Sequence, residues 1–163
     1  MNLFGPSEQK GALFSDDGGH RYVLWRIWDT TRPCIQFVGL NPSTANEDQD
    51  DPTIRRLMGF TKKWGYGGFY MTNLFALVSP HPEDLRTAED PIGDNDRHLV
   101  ETRKKCEHIV FCWGAFPKIF RDIQVARMFE GALCFGTTKD GSPKHPLYLP
   151  ASTTLVPFIH PLK

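Results

Sequence analysis

Four short apolar runs constrain this chain most: Ile35–Gly39, Phe69–Phe75, Ile109–Trp113 and Leu133–Phe135, separated by stretches that read as helices or polar loops. Apolar runs of this length, bounded by glycine, proline and asparagine, suit buried strands. Strand and helix alternate from Ile35 onward, which predicts a mainly parallel sheet with helices on both faces. The expected fold is a three-layer α/β/α sandwich with a central, mainly parallel four-stranded sheet and an amino-terminal edge strand. With 163 residues, the chain can bury one core, so a single domain over residues 1–163 is expected.

The edge strand is Arg21–Asp29, where Tyr22, Leu24, Arg26 and Trp28 alternate with Val23, Trp25 and Ile27. A turn at Thr30–Pro33 leads to the Ile35 strand, so the two are expected to pair as an antiparallel edge. Met1–Gly19 is glycine-rich and polar and ends in the turn signal Asp16-Asp17-Gly18-Gly19. Asp51 and Pro52 suit the N-cap and first turn of a helix. That helix buries Ile54, Leu57, Met58, Phe60 and Trp64 and turns Arg55, Arg56, Lys62 and Lys63 outward. Further helices are expected over about Asp96–Cys106, capped by Asn95 and Asp96, and around Lys118–Met128. Leu77–Ile92 reads as a long loop along the sheet edge.

Lysine plus arginine balances aspartate plus glutamate at 19 each. No global field draws the chain to nucleic acid, and any such contact must come from a local patch. Cys34, Cys106, Cys112 and Cys134 form no closely spaced pair and read as buried thiols. No apolar run is long enough for a membrane span, so a cytoplasmic location without membrane partners is expected. No metal or other cofactor is expected.

The carboxyl ends of the strands carry the candidate chemistry, as ligands in open α/β sheets bind there. The first strand ends in Gly39-Leu40-Asn41-Pro42-Ser43-Thr44, where the Asn41 amide can both donate and accept. The second ends on Asn73 among apolar neighbours, where an amide needs partners or stays available to a ligand. After the fourth strand, a polar loop carries His145-Pro146-Leu147, echoed near the end by His160-Pro161-Leu162. Arg26 stands among apolar residues, either paired with a carboxylate or aimed at a ligand.

This order of motifs, closing on His145-Pro146-Leu147, resembles the uracil-DNA glycosylase superfamily, particularly its mismatch-specific and single-strand-selective branches. There a Gly-Ile/Met-Asn-Pro loop, an asparagine ending the next strand and a late His-Pro-Ser-Pro-Leu loop surround a flipped base. The fuller pattern, Leu-Asn-Pro-Ser-Thr-Ala with Asp-Asp-Pro-Thr-Ile-Arg-Arg, also looks like a bacterial and phage domain family of unknown function, and this is the closer match. The resemblance implies that Asn41 positions a water, Asn73 reads the base edge and His145 stabilises charge on the departing base. Gly39, Leu40, Pro42, Ser43, Thr44, Pro146 and Leu147 would complete the base site. The loop after His145 lacks the serine and second proline of the glycosylase loop, so phosphate contact would fall to Arg26, Lys139 and Lys144. Phe60 and Phe75 are candidates to stack on the base.

The leading expectation is a metal-independent N-glycosidic hydrolase that acts on a flipped or free base, with nucleic acid or a nucleotide as its partner. The alternative is a non-catalytic nucleotide- or nucleic-acid-binding module on the same fold. A third reading gathers Asp50, Asp51 and Asp96 around a divalent ion near Arg21 or Arg26 for phosphoryl chemistry.

Overall fold

The computed structural model describes residues 9–116 and 120–161. Seven strands form one mixed sheet in the order β1-β2-β4-β3-β5-β6-β7. They are β1 (Gln9–Phe14), β2 (Arg21–Ile27), β3 (Cys34–Gly39), β4 (Gly68–Asn73), β5 (His108–Phe111), β6 (Leu133–Cys134) and β7 (Val156–Pro157). Among the described residues, four short helices accompany them: α1 (Pro52–Lys63), α2 (Asp84–Thr87), α3 (Asn95–Arg103) and α4 (Arg121–Met128). The pairs β3–β4, β3–β5 and β5–β6 run parallel, whereas β1–β2, β2–β4 and β6–β7 run antiparallel. Among the described residues, no helix is long and apolar enough to cross a membrane.

This arrangement corrects the expected fold, a four-stranded sheet with one edge strand in a sandwich of the glycosylase type. The sheet is seven-stranded and mixed, and it gains an antiparallel pair at each flank. Added strands satisfy backbone donors and acceptors that would otherwise stand open at a sheet edge. Polar Gln9 and Lys10 are exposed, and Gly11 lies under the Trp25 ring, so β1 lacks the apolar alternation that marks a strand. The first eight residues of the expected amino-terminal loop, and Lys118 of an expected helix, lie outside the described residues.

Nor does β2 pair with β3 as expected. Both edges of β3 are occupied, by β4 and β5, and β2 lies antiparallel to β4, with Trp25 opposite Tyr70. Strand alternation divides the core in two. Ile35, Phe37, Met71 and Val110 pack with Ile54, Leu57 and Phe60 of α1 on one face. Val38, Ile109 and Phe111 pack with Leu99 of α3 and Val125 of α4 on the other.

Each helix has a local cause. The Asp51 carboxylate accepts from the Ile54 N–H at 2.9 Å and Pro52 begins α1, an arrangement that satisfies one orphan amide without losing another. The expected capping role of Asn95 is not observed: its amide is buried and donates to the carbonyls of Asn73 and Leu74 at 2.7 and 3.1 Å. Asp96 pairs with the Arg121 guanidinium at 2.6 Å. Together they pin α3 and α4 to the carboxyl end of β4.

Candidate active site

The parallel register brings the expected residues together. Gly39 of β3 stands level with Asn73 of β4, and Phe111 of β5 with Val38, so three strands deliver their following loops to one edge. A cleft of about 380 Å³ opens there, beside the amino-terminal end of α1. Gly39, Leu40, Asn41, Pro42, Ser43, Asn73 and His145 all line it. Thr44 is exposed and lies outside this lining, and so do buried Pro146 and half-buried Leu147.

Two glycines let these side chains converge. A Cβ on Gly39 would stand 2.6 Å from the Met71 methyl carbon and 2.9 Å from Asn73 Oδ1, so any larger residue pushes on the asparagine. Gly114 has φ +78, a left-handed conformation that side chains resist, and donates its N–H to the Pro143 carbonyl at 2.9 Å. This bond ties the end of β5 to the loop that carries His145.

Asn73 is 2% exposed, and its Nδ2 has no hydrogen-bond partner among the described residues. A buried donor left unsatisfied costs on the order of 1–3 kcal/mol, a cost that function can explain. The terminal amide torsion is soft, so rotation can present either atom to a ligand.

Asn41 is engaged differently. Its Nδ2 faces the carbonyls of Pro42, Leu77 and Ser79 at 3.0–3.1 Å, which fixes the amide orientation and clamps the 77–79 segment to the β3 loop. Only Oδ1 remains for a ligand, as an acceptor.

His145 lies at the rim. Its Nδ1 accepts from the Leu147 N–H at 3.2 Å, so the neutral ring carries its proton on Nε2. The residue is exposed overall, but partial desolvation of the ring beside the cleft sets its pKa below the usual histidine value, and the Asp51 carboxylate opposes that shift. At neutral pH the ring is an uncharged donor.

Arg21 enters the same cleft and is 2% exposed. Its Nη1 donates to the Ala45 carbonyl at 2.9 Å, while Nε has no partner among the described residues. Burial lowers its pKa to about 10, against the favourable field of Asp51 and with the repulsion of Arg26, and it stays charged at neutral pH. Cys112 also lines the cleft, but burial raises its thiol to about 12, which leaves it inert.

The aromatic surfaces at the cleft are Trp113 and Phe116. Phe60 packs in the core against Trp64 and Phe135, and Phe75 lies in the opposite core, so neither reaches a ligand here. The expected phosphate contacts do not gather at the cleft. Arg26 is 1% exposed and spends its donors on Asp50 at 2.8 Å and on the carbonyls of Trp25, Asn46 and Gln49. Lys139 is exposed on its turn, and Lys144 runs alongside Gly136.

The three acids proposed for a divalent ion are also apart in role: Asp50 pairs with Arg26, Asp51 caps α1 and Asp96 pairs with Arg121. Arg21, Trp113 and Phe116 are additions that the sequence did not single out for the base site. For Arg21 a signal existed, a cation inside a strand pattern; Gly114 directly after the β5 run was another.

No curated protein and no solved structure matches the chain. A family model described as "Protein of unknown function (DUF1643)" matches residues 21–147, a span from Arg21 of the cleft to just past His145. The chain belongs to that DUF1643 family.

Proposed function

We propose that the cleft binds a nucleobase and hydrolyses its N-glycosidic bond, in the manner of the glycosylases whose motif order this chain resembles. One observation carries the reading: an unpartnered buried amide donor, Asn73, and a neutral histidine with its proton on Nε2 line a single cleft at the strand ends. The cleft volume lies in the range of about 300–1,000 Å³ usual for small-molecule sites.

In this reaction the bond from the sugar carbon to the base nitrogen breaks, and its electron pair leaves with the base. Water adds to the sugar carbon, and the proton it loses passes through solvent to the nitrogen of the departed base. Negative charge then grows on a base carbonyl, where a donor held in place is worth roughly 3 kcal/mol. The Nε2–H of His145 and the amide of Asn73 supply such donors. Asn41 Oδ1 accepts from the attacking water and so orients it, which needs no strong base when the sugar already carries positive charge.

The engagement of Asn41 Nδ2 in the loop clamp favours a second reading, a nucleotide-binding module that performs no chemistry. Release of free uracil from uracil-containing oligonucleotides, measured with EDTA present, separates the two. The hydrolase reading expects release that falls on the order of a hundredfold in His145→Ala. Binding of the same oligonucleotides without release selects the module.

A further inference from the structure

Outside the cleft, the outer face of α1 carries an unbalanced charge. Arg55, Arg56, Lys62 and Lys63 lie on it, and among the described residues none of them takes part in an ion pair. Arg55 Nη1 donates to the Asp50 carbonyl at 2.9 Å and Lys63 Nζ to the Ala151 carbonyl at 2.8 Å; Arg56 Nη2 donates to the Leu149 carbonyl. Backbone carbonyls position these cations without neutralising them.

Between them lies a hollow of about 180 Å³ lined by Arg55, Arg56, Gly59, Phe60, Lys63 and Ala151, with no carboxylate in its wall. The Arg56 guanidinium lies 4.8 Å over the Phe60 ring, and its Nε has no hydrogen-bond partner among the described residues. Gly59 is exposed in mid-helix, and nothing lies within 4 Å of where its Cβ would be. Glycine is the worst ordinary residue for a helix interior, and no internal contact requires it here. Its absent side chain keeps the hollow open to something outside the chain.

One loop joins this hollow to the cleft. His145 stands at the cleft, and Leu149 and Ala151 are bonded to α1. Between them Tyr148 is 99% exposed and holds φ +69, a backbone conformation that residues other than glycine rarely adopt. A base site, a solvent-facing aromatic ring and a cationic groove thus follow one another. Stacking surfaces beside a cationic track are the means by which proteins hold single-stranded nucleic acid.

The geometry points to a single-stranded polynucleotide as the partner, its backbone phosphates in the α1 groove, a neighbouring base on Tyr148 and the target base in the cleft. This inference rests on reading the cleft as a base site and names the polymer that presents the base. From Arg55 to Lys63 the helix advances about 12 Å, enough for more than one phosphate.

The test is fluorescence anisotropy with labelled dT20, which contains no uracil, over a series of salt concentrations. Three phosphate contacts predict a log–log slope of about −2, so affinity falls roughly 20-fold between 50 and 200 mM salt. Arg55→Gln/Arg56→Gln/Lys63→Gln should flatten that slope, and Tyr148→Ala should weaken binding on the order of tenfold. Gly59→Leu fills the hollow while keeping every charge and fold contact, and it too should weaken binding.

An unchanged slope in the triple variant, wild-type affinity in Gly59→Leu, preference for a duplex of equal length, or binding of phosphatidylserine vesicles instead of dT20 would each overturn the inference. Failure to release uracil with dT20 binding intact overturns only the hydrolase reading. Release that persists without any groove effect overturns only this one.

Discussion

Replacing Asn73 by leucine separates a functional polar group from a structural one, because the two roles predict opposite signs. Asparagine and leucine share a branched Cγ and a similar shape, and the site is 2% exposed. In the free protein, Asn73 Nδ2 has no partner, so the native state carries a desolvation penalty on the order of 1–3 kcal/mol that leucine removes. Some of that gain is offset where the new methyls approach Gly39, whose missing Cβ leaves the space beside Oδ1. The net expectation is a gain of about 1 kcal/mol, read as a rise in Tm of roughly 2–4 °C for a domain of this size. Uracil release should fall by about a hundredfold in the same variant, as a donor to the base is lost. Thermal melts by circular dichroism and a base-release assay on one preparation give both numbers. A drop in Tm of several degrees would mean that the amide is satisfied and structural. A gain in Tm with full release would mean that the donor is not used, and the mechanism would fail at its main observation.

Further perturbations bear on the rest of the site. His145 has a depressed pKa in the folded state, so its contribution to stability is complete above the unfolded value of 6.5 and is lost as pH falls through the folded pKa. Tm should decline below pH 6.5, and His145→Asn should make that decline shallower in melts run from pH 7.5 to 5. Asp51→Ala should cost about 1 kcal/mol through loss of the α1 cap, whereas Asp51→Asn retains a capping oxygen and most of the stability in denaturant titrations. Arg26→Ala breaks a part-buried pair, with the Asp50 side chain 24% exposed, and should cost about 2 kcal/mol, less than a fully buried pair. The salt slope for dT20 should not change in that variant, provided that it is measured below its lowered melting temperature.

The cleft was more legible in the sequence than the sheet that carries it. Asn41, Asn73 and His145 each follow an apolar run, and the rule that strand ends face ligands is enough to place them together. The outermost strands gave no such signal. Two-residue β7 is too short to show a period, and β1 is half polar, with a glycine beneath Trp25. Partner choice was invisible for a related reason: the turn at Thr30–Pro33 is compatible with a hairpin, but both neighbours of β3 come from later in the chain. Arg26 illustrates the limit of reading one residue at a time, because its burial was apparent and its partner Asp50, far along the chain, was not. The roles of Asn95 and Asp96 were misjudged similarly, since capping is a local explanation and their bonds to β4 and α4 are distant ones.

The central position of β3 also sets a kinetic order. Its two neighbours are synthesised well after it, and each parallel pairing must close a long segment before any hydrogen bond is formed. Such non-local topologies fold slowly. Any run of consecutive residues that contains both Gly39 and His145 also contains β4, β5 and β6, so the cleft comes into being only with the parallel centre of the sheet. Occupancy of the cleft therefore reports global folding, and a ligand that binds there should raise the melting temperature in proportion to the logarithm of its concentration, a property well suited to screening bases and oligonucleotides against this protein.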